Sequence, residues 1–269
     1  MAQLPTPSPD ETGEKRGLVP DLTASLLSHL EHAAACYGAD LGLPLTEVPP
    51  RTPEAPQTPD SHTTGRSPAP TQEPHEDPAP ALADLHARLA PCTECNLHRN
   101  RTNLVQGEGD PDARVMFVGE APGQVEDETG RPFVGRSGQL LDRIIENAMG
   151  MRREDVFIAN INKCRPPGNR DPEPLEIAAC LPWLRAQIEI IKPEVIVTLG
   201  RVAAWNLLGV AEPMGRLRGR KLSYEDTPVV ATWHPAYLLR NPAAKAQTWD
   251  DVKRVNRLLG NPEVPTPGG

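Results

Sequence analysis

From about residue 112 onward, hydrophobic residues fall into short runs that alternate with longer amphipathic segments. The short runs are rich in β-branched residues and predict four strands, at 113–119, 156–160, 194–199 and 229–232. The longer segments predict helices at 138–149, 173–191, 202–208 and 248–259. Strands that alternate with helices are typical of a parallel sheet covered by helices. We therefore expect an α/β fold, a three-layer α/β/α domain with a four-stranded, mostly parallel sheet.

The first 83 residues have a different composition. They hold 15 of the 32 prolines, and 4 Lys and Arg against 12 Asp and Glu, whereas the rest of the chain has 24 of each sign. The net charge of −8 is therefore a property of this segment and says nothing about what the folded part binds. Residues 49–80 contain almost no large apolar residue and cannot offset the entropy cost of ordering. We expect a largely disordered acidic tail over 1–83, a folded domain over 84–260 and a flexible C-terminus over 261–269.

Two further expectations concern the tail and the location of the protein. Apolar residues near 20–40 recur at helical spacing, which is consistent either with a weakly ordered appendage or with a helix that docks on a protein partner. The chain shows neither a signal-peptide pattern nor a run of about 18 apolar residues. We therefore expect a cytoplasmic protein that does not contact membranes.

The loops that follow the predicted strands contain the residues that are suited to binding or catalysis. In parallel sheets, ligands bind outside the carboxyl ends of the strands. The four loops span residues 119–138, 160–170, 200–201 and 233–240, and they are rich in Gly, Pro, Asn, His and Glu. The pattern therefore predicts a pocket at one edge of the sheet.

Four cysteines of the folded part have a spacing that suggests a metal site. Cys92 and Cys95 form a C-x2-C pair, and Cys164 and Cys180 lie far downstream. Disulfides are rare in a reducing compartment, so spaced cysteines indicate metal binding or catalysis. The C-x2-C pair is a common zinc half-site, but the second pair is not, and an iron–sulfur cluster tolerates scattered ligands. Both metals remain open on spacing alone. Cys36 lies in the tail and is interpreted as a lone thiol.

Five segments together resemble one family of repair enzymes. They read CTECNL, GEAPGQVED, GRPFVGRSGQLL, KCRPPGNR and HPAYLLRNP, and they span residues 92 to about 242. This combination resembles the family 4 uracil-DNA glycosylases, the thermostable type that carries a [4Fe–4S] cluster. The resemblance implies an enzyme that flips uracil out of single- or double-stranded DNA and hydrolyses its N-glycosidic bond, leaving an abasic site. It also implies that Cys92, Cys95, Cys164 and Cys180 ligate the cluster, with zinc as the less favoured occupant.

The same resemblance assigns a base pocket. It implies that the Asn160 amide pairs with the edge of uracil, that Phe133 stacks on the extruded base and that His234 donates a hydrogen bond to it. The further lining residues implied by the match are Gly119, Ala121 and Asn169.

The resemblance gives less detail about the residues that activate water and contact DNA. Glu120 and Glu126 match a loop that positions or activates the attacking water, and Ala121 stands where better-studied relatives have an Asp. The residues that match DNA contacts are Arg201, Leu238, Leu239 and Arg240, the last three of them in the segment that enters the minor groove.

Other interpretations remain. Ala121 favours, as an alternative, a non-cleaving iron–sulfur module that binds damaged or single-stranded DNA. The C-x2-C pair is also consistent with a zinc-stabilised nucleotide-binding domain. A sister family forms a covalent product through a His in the loop after the second strand, but KCRPPGNR contains no His. We expect a monomer that acts on uracil-containing DNA.

Overall fold

The computed structural model of the protein describes residues 77–261. Its six strands form one sheet in the order β1-β3-β2-β4-β6-β5. The strands are β1 Glu108–Gly109, β2 Val115–Gly119, β3 Phe157–Asn160, β4 Val195–Leu199, β5 Leu222–Tyr224 and β6 Thr227–Thr232. The helices are α1 Pro78–Leu89, α2 Gln124–Thr129, α3 Arg136–Ile144, α4 Pro174–Ile191, α5 Arg201–Leu208, α6 Met214–Leu217, α7 Pro235–Arg240 and α8 Lys245–Leu258.

The predicted α/β class is confirmed, but the sheet has six strands instead of the expected four. The four predicted strands are β2, β3, β4 and β6, and they pair in parallel. The two additional strands, β1 and β5, pair antiparallel at the two edges. They contain two and three residues and are only partly buried. Such short, half-exposed strands have no periodicity that a sequence pattern could reveal.

Helices cover both faces of the sheet because successive side chains of each strand point to opposite sides. On one face, Met116 and Val118 of β2 belong to a cluster with Leu181 and Leu184 of α4. On the other face, Phe117 of β2 belongs to a cluster with residues of α3 and α8. All five residues of β2 are buried, as a strand covered on both faces requires. The three-layer arrangement expected from the sequence is confirmed.

The carboxyl ends of the four parallel strands meet at one edge of the sheet. These ends are Gly119, Asn160, Leu199 and Thr232. Helix α5 begins directly after β4, and His234 caps the start of α7 two residues after β6. The predicted site loops therefore leave the sheet side by side.

Helix α1 lies partly inside the segment that was predicted to be tail. It begins at Pro78, with the Asp77 side chain accepting a hydrogen bond from the Ala79 backbone N–H, six residues before the expected domain boundary. Leu82 and Leu85 join the core cluster that contains α4. The remaining tail, with the predicted helix near 20–40, and residues 262–269 lie outside the described residues. Within residues 77–261, no helix has the length and apolar character needed to span a bilayer.

The packing of α1 can be tested with Leu85→Ala. Leu85 is 4% exposed, and removing a buried Leu side chain costs about 2–5 kcal/mol. Urea unfolding followed by circular dichroism should show this loss. The matched control is Arg88→Ala, because Arg88 is exposed and its ion pair with Asp84 is worth about 0–1 kcal/mol. Equal unfolding midpoints for the two variants would show that α1 is not part of the folded domain.

Candidate active site and cysteine cluster

A buried amide lies at the centre of the carboxyl edge. Asn160 is the last residue of β3 and is paired in register with Gly119, the last residue of β2. The Asn160 side chain is 1% exposed, and its Oδ1 atom has no hydrogen-bond partner. Leaving a buried acceptor unpaired costs about 1–3 kcal/mol. Such an atom is expected where a ligand supplies the missing donor.

The Phe133 ring packs against the same point. A Cβ atom on Gly119 would lie 2.5 Å from Phe133 Cζ and closer still to Asn160 Oδ1, so no larger residue fits there. The ring centroid of Phe133 is 5.7 Å from that of His234, and the planes are tilted by 36°. The structure therefore brings Gly119, Phe133, Asn160 and His234 together.

His234 is held as a neutral hydrogen-bond donor. Its Nδ1 atom accepts a hydrogen bond from the Ala236 backbone N–H at 3.2 Å, so Nε2 carries the proton of the neutral ring. Burial lowers the pKa of His234 to about 4, and the positive charge of Arg240 acts in the same direction. Glu126 opposes this shift without reversing it. At neutral pH the ring is uncharged and can donate through Nε2.

Glu120 has an unusual environment at the start of the first loop. Burial raises the pKa of Glu120 to about 7; the negative charge of Asp171 adds to the shift, and Arg201 opposes it. Arg201 in turn forms an ion pair with Asp171 at 2.8 Å and lies 4.9 Å above the Trp205 ring. Arg201, predicted to contact DNA, is therefore already paired beside Glu120.

Glu126 holds the loop that carries Phe133. Its Oε1 atom accepts hydrogen bonds from the backbone N–H groups of Val134 at 2.9 Å and Gly135 at 2.8 Å. The side chain is buried. Glu126 therefore has a structural task that the sequence did not indicate.

The other two residues predicted to line the pocket are Ala121 and Asn169, and their surroundings differ. Ala121 follows Glu120 at the carboxyl edge and is half-buried. Asn169 lies on the surface in the turn Pro167–Asn169, where its side chain accepts a hydrogen bond from Arg165 Nε at 2.7 Å. Asn169 is thus exposed, whereas Asn160 is buried.

The four predicted cysteine ligands line one cavity. Cys92, Cys95, Cys164 and Cys180 are free thiols, and Leu89 and Leu104 line the same space. Arg101 Nη1 donates to Cys164 Sγ at 3.3 Å, and the Lys163 backbone N–H donates to Cys180 Sγ at 3.2 Å. Burial raises the pKa of the Cys180 thiol to about 12. Donors aimed at sulfur stabilise thiolates, so the donor set fits a thiolate-bound metal group.

Comparison with known proteins agrees with this geometry. The family model of the Uracil DNA glycosylase superfamily matches residues 106–256, more than half of the chain. A type-4 uracil-DNA glycosylase of Thermotoga maritima is 53% identical over 176 residues, which is 64% of this chain and 91% of the relative. One of Sulfurisphaera tokodaii is 42% identical over 191 residues, 68% of this chain and 87% of the relative. One of Archaeoglobus fulgidus is 40% identical over 188 residues, 67% of this chain and 94% of the relative.

The chain belongs to the type-4 uracil-DNA glycosylases. The resemblance seen in its five sequence segments is thereby confirmed. The matched residues include the carboxyl edge of the sheet, with Asn160, Phe133 and His234.

The segment predicted to enter the minor groove divides into buried and exposed residues. Leu238 is 1% exposed and packs with Leu140 and Ala244, so in this structure it does not face the solvent. Leu239 is 37% exposed, and Arg240 is exposed. Successive residues of a helix point in different directions, and in α7 this buries Leu238 while Leu239 and Arg240 are exposed. Of the three residues predicted to contact DNA in this segment, only Leu239 and Arg240 are exposed on the surface of the glycosylase.

Sequence reasoning missed a buried lysine that joins the two halves of the site. Lys163 is 1% exposed, and its Nζ atom donates to the Asn160 carbonyl at 2.9 Å and to Gln187 Oε1 at 2.6 Å. In the sequence, the position of Lys163 between Asn160 and Cys164 was the only feature that indicated a role for it. In the glycosylase, Lys163 connects the Asn160 backbone to Gln187 of α4, and it directly precedes Cys164.

Proposed function

We propose that this protein excises uracil from DNA by hydrolysing the N-glycosidic bond, and that it leaves an abasic site for repair. The observation that carries the proposal is the buried Asn160 amide with an unpaired Oδ1, flanked by Phe133 and a neutral His234. It lies within a chain of the type-4 uracil-DNA glycosylase family. A flat base between these side chains has one face against an aromatic ring and its edge against an amide.

Asn160 supplies discrimination between bases. Uracil presents the O4 acceptor next to the N3–H donor, and an amide answers them with its NH2 group and its oxygen. The unpaired Oδ1 atom is the acceptor that the N3–H group needs. Cytosine presents the reverse pattern, so its binding leaves buried polar groups unpaired at about 1–3 kcal/mol each.

His234 supplies stabilisation of the leaving base. Bond cleavage places negative charge on uracil, chiefly on O2, and a donor aimed at that oxygen lowers the barrier. The Nδ1 contact with Ala236 leaves the proton on Nε2, and the lowered pKa keeps the ring neutral. His234 therefore acts as a hydrogen-bond donor and does not transfer its proton.

Glu120 positions or activates the attacking water. Of the two predicted carboxylates, Glu126 already accepts two backbone hydrogen bonds, whereas no hydrogen bond occupies the Glu120 carboxylate in the described part of the chain. A carboxylate with a pKa near 7 is matched to proton transfer at neutral pH. Glu120 thus compensates for Ala121, the residue that favoured a non-cleaving module.

DNA binding uses the exposed part of the α7 segment. Leu239 presents an apolar side chain that fills the gap left by the extruded base, and Arg240 pairs with a phosphate. Because only an extruded base reaches the pocket, the enzyme accepts single-stranded and double-stranded DNA. The protein acts as a monomer.

The four cysteines hold a [4Fe–4S] cluster. The four thiols line one cavity, and the Arg101 guanidinium and the Lys163 backbone N–H donate to two of them. Four cysteines fit zinc as well as an iron–sulfur cluster, and the family resemblance favours the cluster. When bound, the cluster cross-links the segment after α1, the loop after β3 and helix α4, and thereby fixes the loop that begins at Asn160.

The proposed activity is tested with the purified protein and a uracil-containing oligonucleotide. We expect release of uracil and an alkali-labile site in both single-stranded and double-stranded substrates. Asn160→Asp should lower the ratio of uracil to cytosine cleavage about tenfold or more, because a carboxylate accepts from the cytosine amino group and repels uracil O4. Asn147→Asp, at an exposed residue after α3, is the control. DNA binding without any cleavage product would instead establish the non-cleaving alternative.

The role of Glu120 predicts the pH dependence of the reaction. The water-activating form is the carboxylate, so kcat/KM should rise with pH, with a midpoint near 7, and level off above it. Glu120→Gln should remove this rising limb and leave a lower, flat rate. Glu128→Gln changes an exposed carboxylate of the same loop and should keep the profile. A midpoint that is unchanged in Glu120→Gln would assign the titration to another group.

The identity of the metal group is tested by chemical analysis. Anaerobic purification should yield about four iron and four sulfide per chain, with the broad visible absorption of an iron–sulfur cluster. Cys164→Ser should lower the iron content and the melting temperature together. Cys36→Ser is the control, because Cys36 precedes the family segments. One zinc per chain without sulfide would refute the cluster assignment.

A further inference from the structure

The backbone at Phe133 has a conformation that a bulky residue rarely adopts. Its φ is 49°, and within residues 77–261 only three other non-glycine residues, Asn169, Lys192 and Glu225, have positive φ. Such a conformation persists only where its surroundings determine it. Groups outside the Phe133 loop hold this conformation in place.

Arg153 is the residue that binds this backbone from outside the loop. Its Nη1 atom donates to the Phe133 carbonyl at 3.1 Å, and its Nη2 atom donates to the Pro132 carbonyl at 2.6 Å. The planar guanidinium presents its N–H groups in a fixed fork, so two successive carbonyls are bound with a defined orientation. This contact sets the direction of the peptide on each side of Phe133.

The guanidinium is itself anchored on two other elements. Nη1 also donates to Asp142 Oδ1 of α3 at 2.7 Å, and Nε lies 3.6 Å from Glu108 Oε1 of β1. The Arg153 side chain is 17% exposed, compared with 71% for its neighbour Arg152. Arg153 therefore connects the Phe133 loop to a helix and to the edge of the sheet.

Two further contacts restrict the same short segment. Glu126 accepts the backbone N–H groups of Val134 and Gly135, directly after Phe133. Gly138 lies so close that an added Cβ atom would overlap the Phe133 carbonyl. With Arg153 on the carbonyl side and Glu126 on the N–H side, the backbone has little freedom to rotate. The ring is thereby kept against Gly119 and near His234.

We propose that Arg153 is a positioning residue for base excision, acting through Phe133 on the stacking wall of the uracil pocket. This inference rests on the proposed function, because it takes Phe133 as the side chain that stacks on the base. Within residues 77–261, the polar contacts of the Arg153 side chain are with backbone carbonyls and carboxylates, so its effect on the reaction passes through Phe133. By fixing the position of the Phe133 ring, Arg153 favours binding of a base that lies between Phe133 and Asn160.

The experiment compares two neighbouring arginines. Arg153→Met keeps an unbranched, flexible side chain and removes both carbonyl contacts, whereas Arg152→Met removes only exposed ion pairs with Glu154 and Asp155. We expect Arg153→Met to lower kcat by about tenfold to a hundredfold, since small misplacements of this kind have such effects. Arg152→Met should change kcat less than about twofold, as expected for exposed pairs. The dissociation constant for free uracil, measured by calorimetry, should rise in Arg153→Met alone.

A double-variant cycle separates positioning from general destabilisation. In a Phe133→Ala background the ring is absent, so adding Arg153→Met should lower kcat by less than about twofold. The melting temperature should still fall in both backgrounds. Arg153→Lys, which keeps the charge near Asp142 but not the fork, should be intermediate in uracil affinity and keeps the test usable if Arg153→Met folds poorly.

Three outcomes are decisive. Equal losses of kcat from Arg153→Met in the presence and absence of Phe133 would overturn the inference, and so would identical behaviour of the Arg152 and Arg153 variants. Failure of the wild-type protein to release uracil would refute the proposed function instead. In that case, uracil binding by the wild type and both arginine variants still shows whether Arg153 shapes the pocket.

Discussion

The site depends on how closely three chain segments approach one another at Gly119. Parallel pairing places Gly119 beside Asn160, and the absence of a side chain at Gly119 lets the Phe133 ring reach the same point. Any Cβ atom there would overlap both neighbours. The close approach buries the Asn160 side chain, whose Oδ1 atom has no hydrogen-bond partner. The proposed recognition of a base edge depends on this arrangement.

Burial has opposite consequences for the two titratable groups at the carboxyl edge, because it disfavours whichever form is charged. It lowers the pKa of His234, so that the ring is a neutral donor, and it raises the pKa of Glu120 to about 7. The Ala236 N–H group then fixes which nitrogen of His234 carries the proton. Burial thus produces a neutral His234 and a Glu120 whose pKa is near 7, and the roles proposed for the two residues depend on these states.

Contacts outside the pocket hold its parts in register. Lys163 joins the Asn160 carbonyl to Gln187 on α4, next to Cys164. Arg153 joins the Phe133 carbonyl to Asp142 on α3. A buried amide and a strained aromatic residue are therefore each supported by a cation that reaches a different helix. Such support keeps a binding site rigid before its ligand arrives.

The sequence by itself determined the fold class, the four central strands and the location of the site. A short, continuous apolar run such as 194–199 is typical of a strand covered on both faces, and the carboxyl ends of parallel strands lie at one edge of the sheet. The family resemblance also predicted roles for Asn160, Phe133, His234 and the four cysteines. The edge strands β1 and β5 and the start of α1 at Pro78 were not predictable, because two- and three-residue strands and a polar helix start carry little periodicity.

Other features were decided only by the tertiary structure. It determines that Leu239 faces solvent whereas Leu238 is buried. It also determines that Glu126 holds the loop while Glu120 remains available, and that Arg153 supports Phe133. These outcomes depend on contacts between residues far apart in the chain, and a local pattern contains no information about such contacts.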